Sequence, residues 1–358
     1  MILPSGYNRA PGALACLLGL LLGGVSQAQD AGYQSILETP QLPRLDPAVL
    51  PVTPPAQRIS GEPGSFRIVE RECRNVAANL VRERIVHTAV QEWAFFGFQA
   101  DDLRNTVSAE PDPRPGQRPR WRLGLYPEEV AQVAADVAGY WAAIPGSDWI
   151  LNRQNEAWQQ TDGLASRWRD PWSAAFISWV MCESGLDETR EFQRAIAHHS
   201  YIDQAIRARD TNDGNAAYYA YEPGEAELQA GDMLCSGLRP MYRSLAERRS
   251  QLGEGARTHC DIVVKVDSNA GTILTIGGNV RASVRMKIYA AGIDAGQAYL
   301  APLPARRPVF AHLKLRGAGP ATDLLQYSPT LQQMACTMPE APRTFELSGL
   351  QLATNDQC

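Results

Sequence analysis

The sequence DPWSAAFISWVMCESG, residues 170–185, predicts the helix around which the rest of the chain is organised. Asp170 suits the N-cap, Pro171 suits the first helical position, and Gly185 suits the C-terminal end. Apolar residues recur at helical spacing and form one stripe along the stretch: Trp172, Ala175, Phe176, Trp179 and Val180. The stretch therefore predicts a buried helix.

Ser173 lies in the first turn of this predicted helix. Backbone N–H groups are unpaired there and the helix dipole is positive, so a nucleophile gains from the field and an oxyanion can be held by amides. The structural alternative is a buried serine that only satisfies a backbone amide. Ser173 is a candidate nucleophile whose role depends on what the rest of the chain brings to it.

The composition indicates a globular protein with a substantial core. The chain has 358 residues, of which 44% are hydrophobic and 20% charged. This length suits one large domain or two small ones. With 34 basic and 39 acidic residues the formal net charge is −5, so no strongly basic face is implied and nucleic-acid binding is not expected.

The N-terminus resembles a secretory signal peptide over residues 1–28. Arg9 supplies a positive charge, residues 13–25 are apolar, and Ser26 and Ala28 are small at the positions that signal peptidase reads. We expect cleavage after Ala28 and a periplasmic or secreted mature protein. The apolar run is short for a membrane span, and no other stretch is long enough, so an integral membrane protein is not expected.

Six cysteines follow the expected cleavage point, an even number that favours disulfides in an oxidising compartment. They are Cys73, Cys182, Cys235, Cys260, Cys336 and Cys358. The sequence has no Cys-x-x-Cys and no paired histidines at metal-ligand spacing. We therefore predict no metal site and no organic cofactor.

The chain before the central helix divides into a proline-rich stretch and a helical layer. Residues 29–65 are rich in proline and small polar residues, as in a linker or an extended wrap over a domain. From Phe66 the apolar spacing turns helical up to Gly97, and a second helix opens at Pro127. These patterns predict a helical layer over residues 66–150.

After a further helix predicted over residues 192–207, the pattern changes to short strands. Helices followed by an antiparallel meander indicate an α+β arrangement. Residues 301–358 contain several prolines and little periodicity, and are predicted to be a C-terminal extension. The predicted strands lie at residues 230–235, 259–266, 272–280 and 283–289.

Two downstream residues fit a nucleophile on the central helix. His259 opens a predicted strand, and Asn279 ends the next strand behind two glycines. A base at the start of a strand, oriented by an amide from the neighbouring strand, completes the logic of a catalytic triad. The alternatives are that His259 only satisfies a loop and that Asn279 is only a turn residue.

In this order the motifs resemble the papain-like cell-wall hydrolases of the NlpC and CHAP type. The resemblance covers roughly residues 165–290, and it is closest to a little-studied bacterial family of that clan in which serine replaces cysteine. It implies one papain-like domain over residues 66–300, with a nucleophile helix packed on an antiparallel sheet and extra N-terminal helices. The motifs are WSAAFISW at 172–179, GD at 231–232, His259 with IVV at 262–264, and IGGNV at 276–280.

Ser173 occupies the place of the nucleophilic cysteine of those families. A serine hydroxyl is far less acidic than a thiol, so it needs His259 as a base. The site can be a Ser-His-Asn hydrolase, it can have lost catalysis and bind its ligand only, or another residue can be the nucleophile. We expect structural roles for Cys182 and for Cys260, the latter in a disulfide with Cys235 on a neighbouring strand.

Four further residues are candidates for substrate binding: Trp172, His198, His199 and Asp232. Trp172 can be a substrate platform, although core packing is the stronger interpretation. The two histidines can line the cleft or lie behind it. Asp232 follows a glycine and suits a turn better than a catalytic acid.

The resemblance implies an exported bacterial amidase or peptidase that acts on peptidoglycan. Ser173 would attack, His259 would carry the proton and Asn279 would orient His259. One alternative is a catalytically inactive module that binds cell-wall material or a protein on the same fold. Another is an esterase or acyltransferase. Peptidoglycan or another envelope polymer is the expected partner.

Overall fold

A computed structural model describes most of the chain. The described residues are 43–104, 127–161, 163, 168–187, 189–294, 297–301, 308–317, 319 and 321–337. The predicted signal peptide, the first part of the proline-rich stretch and Cys358 lie outside them. Every helix within these ranges is too short or too polar to cross a membrane.

Helices that precede and follow residues 170–185 in the sequence pack, with the helix of that stretch, on one sheet. The protein therefore has an α+β fold. Short 3₁₀ turns cover Pro55–Arg58 and Ala78–Leu80. The seven α-helices of the described residues are α1 (Val81–Phe95), α2 (Pro127–Ala142), α3 (Asp148–Trp158), α4 (Ser173–Glu183), α5 (His198–Thr211), α6 (Leu245–Arg249) and α7 (Pro329–Thr337).

Among the described residues the main sheet has eight strands, in the order β3-β8-β7-β6-β5-β10-β4 with β9 on β8, and β1 and β2 form a separate pair. The predicted antiparallel meander is confirmed for β5 to β8. β3 runs parallel to β8, so the sheet is mixed. The strands are β1 (Ile59–Ser60), β2 (Arg67–Ile68), β3 (Ala100–Asp102), β4 (Tyr218–Tyr221), β5 (Met233–Arg239), β6 (Arg257–Asp267), β7 (Thr272–Val280), β8 (Ser283–Asp294), β9 (Gln297–Leu300) and β10 (Val309–Leu315).

The helical layer starts later than predicted and holds one more helix. α1 begins at Val81 and not at Phe66, whose backbone N–H and C=O both bond the side-chain amide of Asn155 at 3.1 and 2.8 Å. Asn155 belongs to α3, which the sequence pattern did not predict because polar residues interrupt its apolar face. A buried amide thus holds residues around Phe66 in an extended form.

Two segments that were predicted to lie outside the core contribute to it. Leu50 and Val52 of the proline-rich stretch are buried in the main core, which fits the wrap and not a free linker. β10, within the predicted C-terminal extension, pairs with both β5 and β4. Its residues form an almost continuously buried run, a pattern that periodicity alone does not mark as a strand.

α4 is buried along its whole length and packs against β6 and β7. A Cβ atom at Gly278 of β7 would lie 2.5 Å from the Cβ of Phe176, so glycine permits this close approach. The predicted N-cap is wrong, because α4 begins at Ser173 and Asp170 instead pairs with Arg153. Gly185 ends the helix as expected, with a φ of +88°.

Two disulfides lie within the part of the chain that the structure describes, and they confirm the structural roles expected for Cys182 and Cys260. Cys182 on α4 is bonded to Cys73, and Cys235 is bonded to Cys260 directly across β5 and β6. Cys260 therefore points away from the neighbouring His259, as strand alternation requires. Neither Cys182 nor Cys260 is available as a nucleophile in this state.

Candidate functional site

The centre of the candidate site is a hydrogen bond between the first residues of two helices. Ser173 opens α4 and His198 opens α5. The Oγ atom of Ser173 lies 2.7 Å from Nε2 of His198. Ser173 is 8% exposed and His198 is buried, so the hydroxyl lies at the boundary between core and solvent.

The other nitrogen of His198 identifies the direction of this bond. The backbone N–H of Cys260 donates to Nδ1 at 3.2 Å, and the hydroxyl of Tyr201 also contacts Nδ1. A backbone N–H can only donate, so Nδ1 accepts and the proton of the neutral ring is on Nε2. Burial, together with the neighbouring His259, lowers the pKa of His198 well below its usual value. His198 is therefore neutral and donates to Ser173.

A second histidine lies beside the first. The ring centroids of His259 and His198 are 5.1 Å apart. Nε2 of His259 is 2.9 Å from an oxygen of Asp261, two residues further along β6 and on the same face of the strand. The His259 side chain is 13% exposed, whereas that of Asp261 is 3% exposed. The pair thus presents an imidazole at the surface and a carboxylate behind it.

Lys287 of β8 holds the carboxylate of Asp261 from the other side. Its Nζ atom lies 2.7 and 3.0 Å from the two carboxylate oxygens. Burial by itself would raise the pKa of Asp261, but the charges of Lys287 and His259 outweigh it and hold that pKa well below its usual range. The ionised carboxylate accepts the Nε2 proton of His259, which leaves Nδ1 as the basic nitrogen of the neutral ring.

Gly277 makes this contact across the sheet possible. It lies on β7, between the strands that carry Asp261 and Lys287. A Cβ atom at Gly277 would lie 1.9 Å from Asp261 Oδ1 and 3.1 Å from His259 Nε2. A side chain at this position would fill the space in which the carboxylate meets its two partners.

Asn279 is the second-last residue of β7 and has a φ of +56°, a left-handed conformation that asparagine tolerates. Asp261 contacts His259 and is placed to orient its ring. Sequence reasoning missed Asp261, although its spacing of two from His259 on a predicted strand is the signal that places both on one face.

The other predicted residues are distributed around and away from this centre. His199 lies next to His198, and its Nδ1 is 3.0 Å from the carbonyl oxygen of Ala256, just before β6. Trp172 is buried and stacks on Tyr140 with ring centroids 5.7 Å apart, which fits the core-packing interpretation. His198 was expected to line the cleft or to lie behind it, and it is the residue bonded to Ser173.

Asp232 belongs to a different polar cluster. Its carboxylate lies 2.8 Å from Nε2 of His312 and accepts the backbone N–H groups of Gln229 and Leu315, each at 3.0 Å. Arg82 lies 3.4 Å away. Asp232 is fully buried, so its partners are consistent with a structural role that ties β5 to β10.

No group of three or more His, Cys, Asp or Glu side chains is placed to hold a metal ion in the described part of the chain. The site brings together a hydroxyl, two imidazoles, a carboxylate and an ammonium group, beside the first amides of α4.

Residues 129–302 match a family described as an uncharacterized protein conserved in bacteria (DUF2272). The matched segment includes Ser173, His198, His259, Asp261 and Lys287, and it ends before β10. No curated protein and no solved structure matches the chain significantly.

Proposed function

We propose that this protein is an exported bacterial hydrolase of the papain-like NlpC and CHAP type that cleaves amide bonds of peptidoglycan with Ser173 as nucleophile. One observation carries the proposal. The hydroxyl of Ser173, at the start of α4, is bonded to His198, and the ring of His198 lies beside a second histidine that is held by a buried carboxylate.

The two histidines have different tasks in this proposal. His198 donates its Nε2 proton to Ser173, so it fixes the hydroxyl oxygen but cannot take the hydroxyl proton. His259 has its Nε2 proton on Asp261, so its Nδ1 is the nitrogen that accepts a proton. We assign His259 as the general base and His198 as the group that positions the nucleophile.

The reaction follows the logic of acyl transfer. As Ser173 Oγ bonds to the amide carbonyl carbon, its proton passes to His259. The carbonyl electrons move to an oxyanion that the first amides of α4 can hold. His259 then returns the proton to the departing amine, leaving an acyl-serine. Water, deprotonated by His259, releases the acid and restores Ser173.

Asp261 and Lys287 support the charge that forms on His259. The imidazolium is stabilised by the adjacent ionised carboxylate, which also fixes the ring orientation. Lys287 keeps that carboxylate ionised despite its burial. We propose that Asp261 takes the orienting role expected of Asn279.

The substrate class is supported by two independent points. The order of motifs from Trp172 to Val280 resembles cell-wall amidases and peptidases. The two disulfides fit an oxidising compartment, where the cell wall lies.

The test is digestion of purified peptidoglycan, with products identified by mass spectrometry. We expect the wild-type protein to release a defined fragment and Ser173→Ala to release about 10³-fold less or none. Ser178→Ala is the matched control, because Ser178 is also a buried serine of α4 but bonds only the backbone of Ala195, at 3.1 and 3.3 Å. It should keep most of the activity.

Variants of the two histidines separate the assigned tasks. His259→Gln should remove activity as completely as Ser173→Ala, whereas His198→Gln should retain a measurable fraction because it removes positioning and not the base. The reverse order would assign the base to His198. If folded wild type and Ser173→Cys both leave peptidoglycan intact, the hydrolase proposal fails and a binding module on the same fold is favoured.

A further inference from the structure

A second site lies away from the Ser173 site, beyond the start of β5. His259 pairs with Ser236 in the middle of that strand, whereas Leu313 of β10 pairs with Met233 at its start. Just beyond this start is a cavity of about 430 Å³, whose lining includes Arg82, Lys314 and Arg316. The proposed hydrolase does not use this cavity.

Positive charge dominates the lining. Lys314 Nζ donates to the carbonyl oxygen of Glu227, and the guanidinium of Arg316 donates to two carbonyl oxygens of residues 213 and 216, each at 3.0 Å. These are neutral acceptors, and neither side chain forms an ion pair with a described residue. Two positive charges of the cavity are therefore not neutralised.

Arg82 adds a buried cation at the back of the cavity. It is 3% exposed and is balanced by Asp232 at 3.4 Å, so it contributes little net charge. One of its donors is unused, however, because the Nε–H group has no hydrogen-bond partner among the described residues. Glu227 is a further acidic side chain near the cavity, 3.5 Å from the side-chain amide of Gln229.

The cationic groups are held in place before any ligand arrives. The guanidinium of Arg316 lies over the ring of Tyr219, 4.1 Å from its centroid, and its carbonyl partners fix its plane. Tyr221 also lines the cavity and is covered on one side by Arg209, again at 4.1 Å. Rigid donors lose little conformational entropy on binding, which favours recognition of a small charged group.

We infer that this cavity binds the anionic group of a small ligand, a phosphate or a carboxylate. Lys314 and Arg316 supply charge and hydrogen-bond donors of the kind that recognise both oxyanions. The tyrosine rings give the rest of the ligand a flat wall to pack on.

The inference is tested by titration calorimetry with inorganic phosphate and with succinate at constant ionic strength. We expect saturable binding of one anion per chain. Lys314→Gln and Arg316→Gln should each weaken it about tenfold or more, since each removes a charge-assisted contact. Arg67→Gln is the control, because Arg67 is exposed on β2 and its loss changes the net charge equally.

The two probes identify the anion, because tighter binding of phosphate points to a phosphate group and tighter binding of succinate to a carboxylate. Arg316→Lys should recover part of the binding, which shows that a weakened Arg316→Gln has lost the charge and not the fold. Binding that is equally weak for both anions and unchanged in Lys314→Gln and Arg316→Gln overturns the inference. Ser173→Ala should bind the anion as the wild type does. The anion-binding result is therefore independent of whether the hydrolase proposal holds.

Discussion

Two histidine–aspartate pairs in this protein have nearly the same local geometry. His259 lies 2.9 Å from Asp261, and His312 lies 2.8 Å from Asp232. In both cases Nε2 faces a carboxylate oxygen, that of Asp261 on β6 and that of Asp232 just before β5. The geometry of a histidine–carboxylate pair is therefore not by itself a sign of catalysis.

The surroundings of the two pairs differ. His259 is partly exposed and lies beside the histidine bonded to Ser173. The side chains of His312 and Asp232 are 2% and 0% exposed, and backbone N–H groups occupy the remaining acceptor sites of the carboxylate. In the proposed hydrolase the first pair exchanges a proton with the substrate, whereas the second lies buried between β5 and β10. Under that proposal, access and a neighbouring candidate nucleophile distinguish the catalytic pair from the structural one.

The largest expected effect is on activity at the first pair. Asp261→Asn should reduce kcat/KM by about 10³–10⁴-fold, because the amide neither fixes the reactive tautomer of His259 nor stabilises its charged form. The measurement is the rate of product release from peptidoglycan, or the rate at which a serine-directed phosphonate labels Ser173.

Asp232→Asn is the matched control for this prediction, since it changes the second pair in the same way. Per folded molecule, this variant should hydrolyse peptidoglycan, and be labelled at Ser173 by the phosphonate, at close to the wild-type rates. Equal losses in the two variants would mean that the Asp261 pair acts through stability and not through chemistry.

The next largest effect is on stability at the second pair. Asp232→Asn should lower the free energy of unfolding by about 3–5 kcal/mol, because it leaves the buried guanidinium of Arg82 without its counter-charge. Urea denaturation measures this change. Asp102→Asn, which breaks the more exposed ion pair with Arg104, should cost about 1 kcal/mol or less. A comparable cost at the two sites would contradict the structural role of Asp232.

The sequence predicted those parts of the site that depend on local pattern. α4, Ser173 in its first turn, the strand that carries His259 and the Cys235–Cys260 disulfide all follow from residue type, periodicity and turn signals. Each of these features depends on a short segment or on neighbouring strands.

The contacts of the site that depend on packing between distant elements could not be predicted from local sequence patterns. The bond between Ser173 and His198 exists because the first turns of α4 and α5 are in contact. Helical periodicity predicts each helix but not which helices pack together. The contact of Asp261 with Lys287 depends on β6, β7 and β8 being neighbours and on Gly277 leaving space between them. Likewise, a buried run such as β10 does not show its sheet neighbours in its own pattern.

The smallest expected effect is a pH dependence of stability at the first pair. The folded-state pKa of Asp261 lies well below its usual value, since Lys287 and His259 outweigh the effect of burial. On acidification the unfolded chain therefore binds this proton first, at about its unperturbed pKa of 3.9. The stability that Asp261 contributes is complete above that pH and is lost progressively as the pH falls towards the folded-state pKa.

The difference in unfolding free energy between wild type and Asp261→Asn should accordingly be largest near neutral pH and shrink at about pH 3. Asp136 provides a control of opposite sign, because burial, opposed by Arg44, raises its pKa to about 6. The folded state binds that proton more tightly, so Asp136 lowers stability as the pH rises from about 4 to 6, and Asp136→Asn should remove this loss. If the Asp261→Asn difference stays constant with pH while the Asp136→Asn difference changes, Asp261 is not held ionised by Lys287. The first pair would then lack the fixed negative charge that the proposed mechanism uses to stabilise the His259 imidazolium.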